Sequence, residues 1–243
     1  MDPLHQFQIT PIVPITVAGA DVSFTNSSLW MAIAVAAAYL LVMAGTRQHA
    51  MVPGRLQSVV ELTYEFVAGI LRDAAGKEGM RFFPIVFTIF MFILMGNMLG
   101  MIPGSFTFTS HIIVTFFMAI CVWIGVTVIG FWYHGPRFLG FFVPHGAPKF
   151  ILPLMVPIEV ISYCVRPISL SVRLFCNMMA GHTMLKVFAA FVVSLSAYFV
   201  IPGILPAAIT VVLLGFEFVV AFLQAYIFTV LTCLYLNDAI HMH

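Results

Sequence analysis

The chain has 243 residues, of which 62% are hydrophobic and only 8% are charged. Soluble domains are about 45–50% apolar and about 25% charged, so this composition excludes a water-soluble enzyme as well as a disordered chain. The net charge of +1 offers no basic surface for nucleic acid. The composition therefore predicts an integral membrane protein with several spans.

The first predicted span covers residues 28–46 and follows an external amino-terminal segment, residues 1–27. The stretch is apolar and uncharged, and a membrane-crossing helix needs about 20 such residues. Ser27 or Ser28 is the expected cap at its amino end.

The next element, residues 53–77, is an amphipathic helix with Pro53 at its first helical position. Apolar residues recur at helical spacing on one face, and charged residues occupy the other. A helix with this much charge is expected to lie along the membrane interface instead of crossing the bilayer.

Residues 82–133 form the longest uncharged run of the chain. Pro103, Gly104 and a group of hydroxyl residues interrupt it, which indicates a turn. The run therefore predicts a helical hairpin, with helices over about 82–102 and 111–133.

The last third, residues 150–240, predicts two long helices that form a hairpin. We expect a turn at Pro202, Gly203 and Pro206, and we expect prolines at positions 153, 157 and 167 to break or kink the first helix. Both helices exceed the thickness of the bilayer core, so they must be strongly tilted.

Positive charge in the loops predicts the orientation, because cytoplasmic loops are enriched in lysine and arginine. Five such residues lie between the first span and the hairpin, and two follow the hairpin, whereas the amino-terminal segment and the 103–110 turn have none. The amino terminus is then outside and the carboxyl terminus cytoplasmic. The prediction is a single domain over residues 1–243, an all-α polytopic membrane protein with about five membrane-crossing helices and one interfacial helix.

The four cysteines lack metal-binding or disulfide-type spacing. We interpret them as small buried hydrophobic residues, and no metal or cofactor is implied. The histidines outside the long helices, at positions 111, 134, 145, 241 and 243, are interpreted as solvated.

Polar residues form a stripe on each of the two long helices. Glu159, Arg166 and Arg173 follow at intervals of seven, with Ser169 beside them, and Glu217 and Gln224 are also seven apart. Charges inside a membrane are costly and usually serve transport. The two stripes could bound a hydrated path if the helices pack antiparallel.

The chemistry of the stripe divides between a permanent cation and groups that can titrate. Arg173 stays protonated, so it cannot pass a proton, whereas Glu217 and His182 can gain and lose one. Purely structural roles stay open for several of these residues. Arg166 can extend its charge to the membrane surface or form a static pair with Glu159, and Lys186 can face lipid. Asn177 and Gln224 can join helices by hydrogen bonds.

The runs PISLSVRLFCNMMAGHTML and EFVVAFLQAYIFTVLTCLYL resemble subunit a of the F-type ATP synthase. The upstream runs VPGRLQSVVELTYEFV and TIFMFILMGNMLGMIPG are similar to its interfacial helix and first hairpin helix. The resemblance covers about residues 28–240. It implies partners, namely a rotor ring of c subunits, peripheral-stalk b subunits and, indirectly, the catalytic head. It implies a non-catalytic subunit, and the chain has no GxxxxGK[ST] nucleotide loop.

The resemblance also implies roles for individual residues. Arg173 matches the essential arginine that faces the rotor carboxylate and prevents a leak between two half-channels. Other matches lie along the proton pathway: Glu217, His182, Asn177, Gln224, Glu159 and Tyr235. Asn97 matches an asparagine of the earlier hairpin, and Ser169 and Arg166 are further candidates.

Two departures from the family pattern are informative. Many bacterial relatives have an acid at the position of His182 and a histidine at that of Glu217, so the pair is exchanged here, as in mitochondrial relatives. The exchange suggests that the two residues share one proton-binding environment. Gly100 replaces an acid of some relatives, which weakens the case for conduction by the hairpin. The resemblance favours a bacterial inner membrane, with the mitochondrial inner membrane as the alternative.

Two other functions stay open at this point. Arg173 could bind the anionic substrate of a secondary transporter, although no inverted repeat is evident. The chain could also be a passive assembly scaffold, in which case the polar stripe would not affect proton flux.

Overall fold

The chain is built almost entirely of helices in the computed structural model, which describes residues 8–14, 16–17, 20–21, 23–47, 52–102, 104–143, 151–196 and 200–241. The six α-helices of these described residues are α1 (Asn26–Thr46), α2 (Arg55–Gly79), α3 (Phe83–Gly100), α4 (Ile112–His134), α5 (Leu152–Ser196) and α6 (Val200–Ile240). Short 3-10 helices follow α2 (Met80–Phe82), precede α4 (Phe108–Ser110) and follow α4 (Gly135–Phe142).

The amino-terminal segment contains four short strands that the sequence did not predict. They are β1 (Pro11–Val13), β2 (Thr16–Val17), β3 (Ala20–Asp21) and β4 (Phe24–Thr25), and they pair antiparallel as β1 with β4 and β2 with β3. These two-stranded ribbons do not alter the helical class of the chain.

Five helical stretches in the described part of the chain are long and apolar enough to cross a membrane: Asn26–Thr46, Arg55–Gly100, Ile112–Phe142, Leu152–Leu195 and Gly203–Ile240. The predicted class, an all-α polytopic membrane protein with about five crossing helices, is confirmed. The view of the chain as one membrane domain stays a prediction.

Helix α1 begins earlier than predicted. The first helical residue is Asn26. The hydroxyl oxygen of Thr25 accepts a hydrogen bond from the backbone NH of Ser28 at 3.4 Å. Thr25 therefore occupies the capping position, and the prediction of Ser27 or Ser28 is wrong. The side-chain oxygen of Asn26 also accepts a hydrogen bond from the backbone NH of Thr10 at 3.2 Å. This bond connects the amino-terminal segment to the helix.

Helix α2 is amphipathic as predicted, although its start differs. Its first residue is Arg55 after Gly54, so Pro53 lies outside the helix and its predicted position is wrong. Val60, Val67 and Leu71 are buried at helical spacing. The helix kinks at Gly76, where φ is 63°, a value that glycine adopts without steric cost.

Helices α5 and α6 have 45 and 41 residues, or about 68 and 62 Å at 1.5 Å per residue. Pro157 and Pro167 lie inside α5 without breaking it. The predicted turn at residues 202–206 is wrong, because α6 begins at Val200 and continues through Pro206. Pro202 falls in its first turn, where a backbone NH has no helical partner to lose.

The chain divides into two compact units. The first unit consists of Met1–Met43, Met91–His111 and Leu174–Ala225, and the second of Ala44–Phe90, Ile112–Arg173 and Tyr226–His243. Buried side chains of the first unit include Ile93, Phe108, Leu174 and Met178, and those of the second include Val67, Leu71, Phe90, Leu170 and Phe228.

The cysteines show that an apolar residue of a membrane protein need not be buried inside the chain. Cys233 is buried, but Cys121, Cys164 and Cys176 are exposed on the chain, so the prediction of burial is wrong for these three. Lipid is as apolar as a protein core, and an apolar residue in a span therefore need not face the interior.

Candidate functional site

The first unit contains a buried pair formed by His182 of α5 and Glu217 of α6. Their side chains have relative accessibilities of only 10% and 5%, and His182 Nδ1 lies 3.6 Å from Glu217 Oε1. The two residues are 35 positions apart in sequence. The expectation that the two helices fold back and bring this pair together is confirmed, and the role of the pair in proton binding stays a prediction.

Glycine at position 181 makes room for the carboxylate. A Cβ atom at Gly181 would lie 2.7 Å from Glu217 Oε1, closer than real Cβ contacts allow. Glu217 thus packs directly against the backbone of α5. Neither carboxylate oxygen has a hydrogen-bond partner among the described residues, which is costly for a buried polar group and marks the pair as a functional candidate.

Thr107 lies on the other side of the histidine, and sequence reasoning missed it. Its Oγ1 is 3.1 Å from His182 Nε2 and 3.2 Å from the backbone oxygen of Gly100. Thr107 is buried and belongs to the segment between α3 and α4. That segment has no helical periodicity, so no sequence signal points to the contact.

Three amide side chains also lie within the first unit. Asn177 Nδ2 donates to Gln224 Oε1 at 2.8 Å, which joins α5 to α6. Asn97 of α3 is fully buried, and its Nδ2 donates to the backbone oxygen of Ala221 at 3.2 Å. Asn97, Asn177 and Gln224 therefore have the contacts expected of interhelical hydrogen bonds.

The stripe predicted on α5 is divided between exposed and buried positions. Ser169, Arg173 and Asn177 are exposed on the chain, and Glu159 is half-buried. His182, by contrast, is buried. The permanent cation at position 173 therefore lies on an exposed face of α5.

Arg166 forms a static cluster in the second unit. Its Nη1 donates to Asp238 Oδ2 at 2.9 Å, so its salt-bridge partner is Asp238 and not Glu159, the partner that the sequence had left open. Its guanidinium carbon also lies 4.9 Å from the ring centre of Tyr235, and the rings of Tyr163 and Phe141 are close by. Tyr235 thus contacts an arginine that is already paired with Asp238. The role of Tyr235 in the proton pathway stays a prediction.

Asp238 is a second residue that sequence reasoning missed. It follows Glu217 by 21 residues and so continues the interval of seven that links Glu217 to Gln224. That spacing could have identified it. The aromatic rings stabilise the charge of the Arg166 guanidinium by cation–π contacts, and a sequence pattern does not reveal such contacts.

Two of the histidines interpreted as solvated are partly buried. The ring of His111 stacks on Phe106 with a centroid distance of 5.1 Å, and burial lowers its pKa below the ordinary value. His134 Nε2 is 2.9 Å from the backbone oxygen of Ile240. The interpretation is wrong for both, because ring stacking and a backbone partner compensate for lost hydration. His145 and His243 lie outside the described residues.

The described residues contain no group of three or more His, Cys, Asp or Glu side chains placed to hold a metal ion. In the first unit, the candidate site consists of the His182–Glu217 pair with Thr107 and the amides of Asn97, Asn177 and Gln224. Arg173 belongs to the second unit and is a separate candidate.

Comparison with known proteins identifies the family and several similar chains. A family model described as ATP synthase A chain matches residues 28–237. Similar proteins include the ATP synthase subunit a of Parvibaculum lavamentivorans, which is 57% identical over 99% of this chain and 94% of the relative. That of Chelativorans sp. is 59% identical over 99% and 98%, and that of Paramagnetospirillum magneticum is 53% identical over 100% and 99%. The chain belongs to the ATP synthase A chain family.

Proposed function

We propose that this chain is the proton-translocating stator subunit a of an F-type ATP synthase. The observation that carries the proposal is the buried His182–Glu217 pair, whose facing atoms are 3.6 Å apart. An imidazole and a carboxylate at this distance can hold a proton that either side takes up or releases. The relatives named ATP synthase subunit a support the same conclusion, and they do not favour the anion transporter considered from the sequence.

The pair serves the half-channel that leads in from outside. A proton enters along a hydrated path lined by Glu217, His182, Asn177 and Gln224, and then neutralises a carboxylate of the rotor ring. A neutral carboxyl group can enter lipid without the cost of a bare charge. Rotation thus carries the proton away from the stator.

Arg173 separates this path from the second half-channel, which opens near Glu159 to the cytoplasm. Its guanidinium stays charged and cannot relay a proton, so it blocks a direct leak. Its exposure on α5 supports a role at the surface that faces the rotor. There its positive charge favours the ionised rotor carboxylate, which releases its proton inward.

The proposed partners are the c-subunit rotor ring, the b subunits of the peripheral stalk and, indirectly, the catalytic head. The proposed location is the bacterial plasma membrane, with the amino terminus outside and the carboxyl terminus cytoplasmic. Each proton that crosses 100 mV releases about 2.3 kcal/mol, so ATP synthesis combines several protons.

Replacement of Arg173 by alanine tests the proposal. We expect Arg173→Ala to abolish proton-driven ATP synthesis in inverted membrane vesicles while the complex still assembles. Arg72→Ala is the matched control, since Arg72 is an exposed arginine on α2, and it should retain normal synthesis. Normal synthesis by Arg173→Ala would overturn the proposal.

A further inference from the structure

Thr107 makes two contacts with a single hydroxyl group. Its Oγ1 lies 3.1 Å from His182 Nε2 and 3.2 Å from the backbone oxygen of Gly100. A hydroxyl group has one hydrogen to donate and two lone pairs to accept with. The assignment of donor and acceptor at this residue therefore determines which nitrogen of His182 carries a proton.

The contact with Gly100 allows one direction only, because a carbonyl oxygen accepts and cannot donate. Gly100 is the last residue of α3, and the last carbonyls of a helix have no donor within the helix. Ser105 also approaches this oxygen at 3.0 Å, but it lies closer to the oxygen of Ile102, at 2.7 Å. We assign the single Ser105 hydroxyl hydrogen to the nearer oxygen, that of Ile102, and Thr107 is then the hydroxyl donor to Gly100.

With its hydrogen directed to Gly100, the Thr107 oxygen can only accept from His182. Both contacts are then satisfied if Nε2 of His182 carries a hydrogen. The other nitrogen of the neutral ring, Nδ1, is left with a free lone pair, and it is the atom that lies 3.6 Å from Glu217 Oε1.

We propose that Thr107 is a positioning residue that fixes neutral His182 as the Nε2–H tautomer, so that Nδ1 is the atom that takes up and releases the transported proton opposite Glu217. The inference rests on the proposed function of the chain in proton transport. No covalent bond other than N–H or O–H changes: the proton that Nδ1 gains comes from the Glu217 carboxyl group or from the entry path, and it leaves the same way.

The arrangement holds through both protonation states of the histidine. When Nδ1 is protonated, both ring nitrogens are donors, and the Nε2–H bond to Thr107 is retained. The hydroxyl therefore does not need to rotate during a transport cycle. The charged groups that act on the imidazole are Glu217, from α6, and Lys186, one turn further along α5.

Glycine at position 100 is part of the same arrangement. A Cβ atom at Gly100 would lie 2.8 Å from both Cγ2 and Oγ1 of Thr107. A larger residue would push the threonine away from the α3 terminus and from His182. Gly100 therefore leaves the space in which the Thr107 hydroxyl lies against the histidine.

The test compares three variants of the whole ATP synthase complex in inverted membrane vesicles, with ATP-driven proton pumping measured as a function of pH. Thr107→Val removes the hydroxyl at nearly constant volume, and Thr107→Ser restores it. Thr109→Val is the matched control, because Thr109 is buried in the same segment and its hydroxyl has no hydrogen-bond partner among the described residues.

We expect Thr107→Val to lower the pumping rate by about three- to tenfold, the value of one hydrogen bond, and to move the pH profile to lower pH. The shift follows because Thr107 accepts a stronger hydrogen bond from the charged ring than from the neutral one, so its loss disfavours the charged ring more. Thr107→Ser and Thr109→Val should keep the wild-type profile. An unchanged profile in Thr107→Val, or an equal shift in Thr109→Val, would overturn the inference.

A second measurement does not depend on how well a variant assembles. In the wild-type complex labelled with 15N-histidine, the His182 signals are assigned as those lost in His182→Gln. We expect a protonated Nε2 and an unprotonated Nδ1 in the neutral ring, and the opposite tautomer would contradict the inference. A different result would contradict the proposed function itself, namely normal proton pumping by the Glu217→Gln variant.

Discussion

Two acid–base pairs of this chain differ in how completely they are bonded. In the second unit, Arg166 Nη1 donates to Asp238 Oδ2 at 2.9 Å, and three aromatic rings surround the guanidinium. In the first unit, His182 Nδ1 and Glu217 Oε1 are 3.6 Å apart, and the carboxylate has no hydrogen-bond partner among the described residues. The first arrangement is suited to hold structure, and the second to change its protonation.

The difference follows from the chemistry of the cations. A guanidinium group stays protonated, so the cation of the Arg166–Asp238 pair is permanent. Imidazole can lose its proton, and a buried pair of imidazole and carboxyl group is neutral overall with one shared proton. Loss of that proton leaves a buried negative charge, which the surroundings must stabilise. The His182–Glu217 pair is therefore poised between two states that differ by one proton.

The strongest test of this comparison neutralises the acid of each pair. We expect Glu217→Gln to lower ATP-driven proton pumping by about a hundredfold, because the amide cannot carry a proton and proton-transfer groups contribute about that factor or more. Asp238→Asn is the matched control, and we expect it to leave pumping within a few-fold of wild type. Equal losses in the two variants, measured in vesicles with equal amounts of assembled complex, would contradict the distinction.

Exchange of the two side chains of the buried pair should give the next largest effect. The variant His182→Glu with Glu217→His keeps one acid and one imidazole at the same contact, whereas Glu217→His alone places two imidazoles there. We expect the double variant to retain about tenfold more ATP synthesis than the single variant, as expected for strongly coupled neighbouring residues. The measurement is the rate of proton-driven synthesis. Equal losses would argue against a shared site.

The buried pair shows what the sequence could reveal about the site. The resemblance implies that the histidine and the acid are exchanged relative to many bacterial members of the family, and this exchange predicts that they are neighbours. The helices themselves follow from long uncharged runs, because an apolar helix is the simplest way to satisfy the backbone inside lipid.

Other features could not be predicted, for identifiable physical reasons. Thr107 lies in a non-periodic connection, so its contact with His182 depends on packing that no local pattern encodes. Pro202 and Pro206 resemble a turn in sequence, yet α6 includes both. Pro202 costs no hydrogen bond because it lies in the first helical turn, whereas Pro206 lies inside the helix. Exposed Cys176 shows that hydrophobicity does not separate lipid-facing from buried positions.

The close packing of α5 against Glu217 gives a third test. Gly181→Ala places a Cβ atom 2.7 Å from Glu217 Oε1, so the carboxylate must shift from the position that it holds opposite His182. Overpacking of this kind costs about 1–3 kcal/mol, so we expect pumping to fall by about tenfold. Gly215→Ala on α6 is the matched control, because a Cβ atom there meets nothing within 4 Å. A wild-type rate in Gly181→Ala would show that the position of the carboxylate is not critical.

The smallest expected effect concerns the bonded pair of the second unit. Arg166→Lys keeps the positive charge opposite Asp238 but loses the planar group that lies 4.9 Å from the ring centre of Tyr235, and lysine stacks on aromatic rings less well. Since a partly exposed ion pair and one cation–π contact are each worth about 1 kcal/mol or less, we expect the thermal midpoint of the complex to fall by about 2–4 °C. The pH profile of proton pumping should not change, because neither side chain exchanges a proton during transport. A shift of that profile would place Arg166 among the residues that act on the transported proton. The distinction between a structural pair and a proton-transfer pair would then be contradicted.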